Sequence, residues 1–412
     1  MLNTVALHIT PEPGLMNKQT IRICILGGGF GGLYTALRLT QFPWDNSYQP
    51  EITLIDKSDR FLFSPLLYEL MTGEMQSWEI APPFEELLSG TDILFKQACV
   101  TGIDIEAREI QLDNETSISY DKLVVAIGGK TPLDIIPGAK DHAIPFRTLN
   151  DAYRLGERLR ILEQSDADKI RVAIVGGGYS GVELACKLAD RLGERGRLRL
   201  IEKQATILAT SPQFNREAAK KALEKRLVWL DLDTEVQSIT SDTISLLYKG
   251  QIDTIPVDIV LWTVGTQVSE SIQKLPLKHD QRGLLTTNAF LQASDRPEIY
   301  ALGDVANCQD ITGQQVPATA QSALQQSDFC AWNIWASITR RPLLPFRYFS
   351  MGEMMTLGID NATISGLGVK LEGIPAYILR RLIYLYRLPT LKHQLNVGLN
   401  WITQPVIELL AR

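Results

Sequence analysis

An α/β fold with two parallel-sheet domains and a separate C-terminal region is the class this sequence predicts, and three observations predict it. A β-branched strand that runs into closely spaced glycines and then a helix occurs twice, as ICILGGGFGG at 23–32 and VAIVGGGYSG at 172–181. Downstream of each lies a second buried run that stops on glycine, DKLVVAIGG at 121–129 and VDIVLWTVG at 257–265. The chain has 412 residues, more than one core usually spans.

The elements follow in order. Residues 1–20 read as an N-terminal extension without the basic and apolar regions of a secretory signal. Residues 21–150 form the first part of domain one: strand, turn and helix over 21–41, a strand over 51–59 ending at Asp56, loop and short helix over 60–75, and alternating strands over 93–113. A helix over 149–164 opens the second domain, 151–275. Its strand, turn and helix occupy 169–192, its next strand ends at Glu202, and a helix lies around 214–226. Residues 276–345 return to domain one through the strand RPEIYALGD and a long helix over 316–338, with Pro317 in its first turn. The tail, 346–412, holds two amphipathic stretches at 374–396 and 402–412.

Composition excludes several functions. With 45% hydrophobic residues and a net charge of -6, the chain is globular and lacks the basic balance of a nucleic-acid-binding protein. Its five cysteines form no CxxC or CxxxxC pair, which removes dithiol chemistry, and four scattered histidines support no metal site. No run of 18 uncharged apolar residues exists to span a bilayer.

The paired glycine runs carry the chemistry. In Gly27-x-Gly29-x-x-Gly32 the first glycine permits the turn, the second admits a pyrophosphate to the backbone, and the third lets helix and strand pack closely. The helix N-terminus then faces the phosphates, and Asp56 is placed to accept from a ribose hydroxyl. Gly176-x-Gly178-x-x-Gly181 with Glu202 repeats every part. Two Rossmann-like dinucleotide-binding domains are therefore expected. A carboxylate at 202 favours NADH, since it repels a 2′-phosphate; the neighbouring Lys203 leaves NADPH open. Which unit takes which nucleotide is not decided by these residues.

The two fingerprints, the AIGG and TVG runs and YALGD resemble the flavoproteins built from two dinucleotide-binding domains. That resemblance implies FAD on Gly27, Gly29, Gly32, Asp56, Gly128, Gly303 and Asp304, and NAD(P)H on Gly176, Gly178, Gly181, Glu202 and Gly265. Asp304 can also be read as a cap for the following helix. FSPLLYELMTG (63–73), GVELA (181–185), WTVG (262–265) and ATAQSALQQ (318–326) are similar to the type II NADH:quinone oxidoreductases, the cyanobacterial and plastid branch above all. The resemblance implies that Gln321 and Gln325 line a quinone site, and that Glu183 lies near nicotinamide and flavin as a positioning group. Gln321 and Gln325 are four apart on one helical face, Ala320 and Ala323 leave room for a flat ring, and a solvated polar face is the plain alternative. As a first-turn residue, Glu183 is also read as simply favourable to the helix dipole.

The function that follows is transfer of two electrons from NADH through FAD to a plastoquinone-like or naphthoquinone-like membrane quinone, without proton pumping. Reduction of a ferredoxin or rubredoxin, a silent nucleotide-binding sensor and a peripheral assembly protein remain as alternatives. In the tail, Ile378, Leu382 and Leu385 recur at helical spacing among Arg380, Arg381, Arg387, Lys392 and His393. That mixture predicts a peripheral membrane helix whose arginines reach headgroups, on the cytoplasmic or stromal-type face. Burial against the protein itself, or pairing of subunits into a homodimer, would use the same pattern.

Overall fold

The computed structural model describes residues 18–410; residues 1–17 of the expected extension lie outside the described residues. Gln19–Leu26 sits in the middle of a six-stranded sheet ordered Gln292–Ala293, Arg296–Ala301, Lys122–Val125, Gln19–Leu26, Tyr48–Asp56 and Leu94–Gln97. All neighbours are parallel except the first pair. Parallel strands covered on both faces read as continuous apolar runs, which is why Ile23, Ile25 and Leu26 have no solvent contact. One face carries the helices Phe30–Leu39 and Ala320–Thr339 packed on each other. The other is covered by a small antiparallel sheet, Val100–Asp104, Glu109–Leu112 and Ser117–Ser119.

The chain leaves this sheet after Val125 and returns beside the same strand, with Ile299 opposite Leu123. Between the two crossings it builds a five-stranded sheet ordered Trp229–Asp231, Gly196–Ile201, Ile170–Val175, Ile259–Trp262 and Ala143–Pro145. The helices Leu149–Glu163, Tyr179–Leu192 and Gln213–Lys225 and a three-stranded antiparallel sheet over 234–256 complete this part.

The tail adds elements that the sequence pattern did not reveal. Glu353–Thr356, Ala362–Gly366 and Val369–Gly373 form a three-stranded sheet against the helix Tyr179–Leu192. The helices Ile374–Arg387 and Leu391–Leu410 follow, parted by a turn at Leu388-Pro389-Thr390. No helix among the described residues is long and apolar enough to cross a membrane.

Three expectations change. The long helix starts at Ala320, not 316: Thr319 caps it by accepting from the Ser322 N–H at 3.2 Å, and Pro317 precedes the cap. Arg380 does not reach outward; its side chain is fully buried. His393 is also buried, with Nε2 at 2.8 Å from the Glu79 carbonyl oxygen. A carbonyl only accepts, so Nε2 carries the proton.

Candidate functional site

The two glycine loops are built alike, contact for contact. Gly27 and Gly176 turn with φ of +94° and +109°, a region that favours glycine. A Cβ on Gly32 would lie 1.8 Å from the Gly27 carbonyl oxygen, and one on Gly181 would lie 1.8 Å from that of Gly176. These two glycines are thus fixed by packing of the chain on itself. The middle glycines differ: a Cβ on Gly29 or Gly178 would meet nothing within 4 Å. That open space at a helix N-terminus is where a pyrophosphate approaches, so both loops fit a dinucleotide.

The acids after the second strands hold these loops. Asp56 accepts from the Gly28 N–H at 2.6 Å and the Ser58 N–H at 2.8 Å. Glu202 accepts from Gly177 at 2.6 Å and from Gln204 at 2.8 Å. Each carboxylate keeps lone pairs for a ribose hydroxyl, so a structural and a ligand role coexist.

Gly303, with φ of +73°, brings Asp304 to the edge of the first cradle, and Gln326 accepts from the Gly303 N–H at 2.8 Å. The side chain of Asp304 makes no helix cap. It is ion-paired with Arg147, which also donates to Thr266 Oγ1 at 3.2 Å. Arg147 follows Ala143–Pro145, the edge strand of the second sheet, and Thr266 lies on the returning crossing, so one guanidinium joins the second unit and the crossing to Asp304. Gly128 and Gly265 turn with φ of +67° and +80° at the ends of the corresponding central strands.

Glu183 is the fifth residue of its helix, beyond the turn where the dipole acts. Its environment is instead set by burial. Its Oε1 accepts from the Thr356 N–H at 2.8 Å and lies 3.7 Å from the buried Arg380 guanidinium. Arg380 also pairs with Glu69 at 2.5 Å and donates to the Pro65 carbonyl at 2.9 Å. Close by, fully buried Lys187 pairs with Glu74, which accepts from Tyr377 at 3.1 Å. Tyr68 donates to Ser180 Oγ at 2.9 Å. Burial pushes the Glu183 carboxyl up to about 7, although Arg380 and the Thr356 N–H pull it down. Burial acts the same way on Glu69, but there Arg380 and Lys187 outweigh it and hold the group below the usual range. The result is one carboxyl that titrates around neutrality beside one that stays ionised.

Gln321 and Gln325 project from the start of the long helix toward an irregular strap, 341–352. Gln325 is clamped on one residue: it donates to the Phe349 carbonyl at 2.9 Å and accepts from the Phe349 N–H at 3.0 Å. Gln321 accepts from the Tyr348 hydroxyl at 2.9 Å and the Met351 N–H at 3.4 Å, and donates to the Gly352 carbonyl at 3.4 Å. Sequence reasoning paired the two amides as equals, whereas the strap uses them differently. It also missed Arg147, Glu69 and Tyr348 and gave Arg380 to lipid headgroups; the partners of all four are remote in sequence.

Comparison with known proteins decides what this arrangement is. The pyridine nucleotide-disulphide oxidoreductase family matches residues 21–327. The demethylphylloquinone reductase NdbB of Synechocystis sp. is 57% identical over 395 residues, covering 95% of this chain and 98% of that protein. The chain belongs to the type II NAD(P)H:quinone oxidoreductases. The alternative NAD(P)H-ubiquinone oxidoreductase C1 of Arabidopsis thaliana is 42% identical, over 96% of this chain and 83% of its own length. In fold, the NDH2 of Plasmodium falciparum solved with NADH superposes with a TM-score of 0.83 at 19% identity, over 94% of this chain and 98% of that one. This type II enzyme transfers electrons from NAD(P)H to a membrane quinone with FAD as its flavin, and its membrane contact is peripheral.

Proposed function

We propose that this type II enzyme prefers NADH and reduces a naphthoquinone of the demethylphylloquinone class. It would do so at a bilayer surface on the cytoplasmic or stromal-type side. The acceptor class rests on the relative that is 57% identical and named for that reaction. The coenzyme preference rests on Glu202, held at the end of its strand by the Gly177 and Gln204 N–H groups.

FAD, when bound along Gly27, Gly29, Gly32, Asp56, Gly128, Gly303 and Asp304, supplies the two-electron chemistry between nucleotide and quinone. The protein positions both partners and manages protons. Gly176, Gly178 and Gly181 seat the nicotinamide nucleotide, with Glu202 on its ribose and Gly265 at the strand end beside it. Glu183, raised to about 7 by burial, can take up or give a proton around neutral pH between the two nucleotide-binding units. Ala320 and Gln321 open the helix that lies against the Gly303-Asp304 turn, and Gln321 has one amide N–H left to donate to a quinone carbonyl. That leftover donor beside the flavin cradle is the observation that carries the acceptor site. Gln325 acts from behind it by holding Phe349 of the strap. The same reading divides the chain into 21–150 and 276–345 for FAD, 151–275 for the nucleotide, and 346–412 for the membrane, except that the strand Ala143–Pro145 pairs in the nucleotide unit's sheet.

On the tail, Ile374, Ile378, Leu382 and Tyr386 form one exposed row at four-residue spacing, and Leu391, Leu395, Leu399 and Ile402 form another at spacings of four and three. Such rows suit insertion into one leaflet. Steady-state assay of the purified protein with NADH and NADPH against naphthoquinones, plastoquinone and ubiquinone tests the proposal. A naphthoquinone preference of about tenfold in kcat/KM is expected. Equal efficiency across the three classes removes the assignment of acceptor.

A further inference from the structure

The strap over 341–352 has no helix or strand, yet it is tied along its length. Asn333 bonds both the N–H and the carbonyl of Leu344, at 2.7 and 2.9 Å. Phe346 is fully buried and its backbone bonds Ala289 and Ile311. Asp310 accepts from the Tyr348 N–H at 3.3 Å, and Gln325 clamps Phe349. The strap is therefore a fixed piece of the fold, and it delivers Tyr348 to Gln321.

The contacts of Gln321 determine which end of its amide is oxygen. The Met351 N–H can only donate, and the Gly352 carbonyl can only accept. Oε1 must face the first and Nε2 the second. The Tyr348 hydroxyl, at 2.9 Å, is the shortest of the three contacts and donates to the same Oε1. With two donors on its oxygen and one N–H on Gly352, the amide has a single N–H remaining and is held in that sense.

We propose that Tyr348 is a positioning residue that locks Gln321 as a hydrogen-bond donor toward the acceptor quinone. The proposal rests on the reading that the start of this helix meets the quinone. A locked donor serves a carbonyl oxygen, the feature a quinone has and its quinol has lost. The site consequently favours the oxidised substrate over the reduced product, which aids release. Without the phenol only the two long contacts, 3.4 Å to the Met351 N–H and 3.4 Å to the Gly352 carbonyl, hold the amide in that sense, and a quinol hydroxyl can compete with them for Oε1.

Y348F removes the hydroxyl and keeps the ring, while the other ties of the strap remain. The test compares the wild type, Y348F, Q321L and the double variant, with a soluble short-chain naphthoquinone as the probe. Y348F is expected to raise the quinone KM about five- to tenfold with kcat nearly unchanged. It should also tighten product inhibition by the matching naphthoquinol relative to that KM, a change that loosened packing alone does not produce. Reduction of the bound flavin by NADH, followed by its absorbance, stays at the wild-type rate. The double variant is expected to match Q321L alone, because both changes break one unit. If Q321L leaves reoxidation by quinone unchanged, the acceptor site is elsewhere and the proposal falls with it. If Q321L impairs reoxidation and Y348F does not, the site stands and the role of Tyr348 is overturned. Additive losses in the double variant overturn it as well.

Discussion

Arg380, on a tail helix, is buried against Glu69 of the first nucleotide-binding unit at 2.5 Å, although the two lie 311 residues apart. The same guanidinium lies 3.7 Å from Glu183 of the second unit. One side chain therefore pairs with an ionised carboxylate from one half and lies beside a carboxyl of raised pKa from the other. Replacing it by methionine leaves buried charge without a partner. R380M is expected to lose about 3–5 kcal/mol of stability, measured by chemical denaturation. A loss below about 1 kcal/mol would mean that the cluster is solvated in solution.

Glu183 gives this cluster a pH signature. Its carboxyl is raised to about 7, chiefly by burial, against about 4.3 in an unfolded chain. Between these values the folded protein holds a proton that the unfolded chain has released, so the contribution of Glu183 to stability falls as pH rises through this window. E183Q mimics the protonated form. Its melting temperature should exceed that of the wild type most above pH 7, and the gap should close below about pH 4. A gap independent of pH would show that Glu183 titrates alike in the folded and unfolded protein, without the raised value.

The glycines separate folding from binding. In G32A the new methyl would lie 1.8 Å from the Gly27 carbonyl oxygen, and the protein is expected to misfold or to lose FAD. G29A and G178A add a methyl where nothing lies within 4 Å. Both should fold, as judged by circular dichroism. G29A should bind FAD at least tenfold more weakly, whereas G178A should keep its flavin spectrum and bind NADH at least tenfold more weakly. Wild-type affinities in both would place the pyrophosphates elsewhere.

Glu202 has a second duty that shapes its test. Because it accepts from the Gly177 N–H at 2.6 Å, an alanine would disturb the loop along with the ribose contact. E202Q keeps an acceptor and removes the charge. The ratio of NADPH to NADH efficiencies should rise about 5- to 100-fold, the equivalent of roughly 1–3 kcal/mol. An unchanged ratio would assign coenzyme choice to other residues.

The tail needs a surface test and not a deletion. Removing residues 374–412 would also take away Arg380 and the buried His393, and so disturb the core. Substituting exposed Ile378 and Leu382 together by glutamate leaves those contacts in place. Flotation with anionic liposomes should fall severalfold, while NADH-driven reduction of a soluble dye persists. Unchanged flotation would assign the stripe to a protein partner.

Much of this was legible because glycine punctuation is local. Gly27 and Gly176 announce their turns, and each neighbouring strand and helix follows within a few residues. The tail was not legible in the same way. Its first helix repeats every four residues twice over: Ala376, Arg380 and Tyr384 point inward, while Ile378, Leu382 and Tyr386 point outward. The outward row is the more apolar of the two, so spacing and hydropathy point to the wrong one as covered by protein. Arg380 looked like a headgroup ligand because its partner Glu69 stands in a distant apolar run. The amides of Gln321 and Gln325 were readable as hydrogen-bonding groups, but their use by an irregular strap leaves no periodic trace.

The central claim is that electrons pass from NADH through the flavin of this chain to quinone. Sequential-mixing stopped-flow absorbance measures that path directly. The purified flavoprotein is mixed anaerobically with one equivalent of NADH and then with a naphthoquinone. The flavin band should bleach on the first mixing and return on the second within the turnover time. A band that bleaches but is not restored by any quinone would contradict the account.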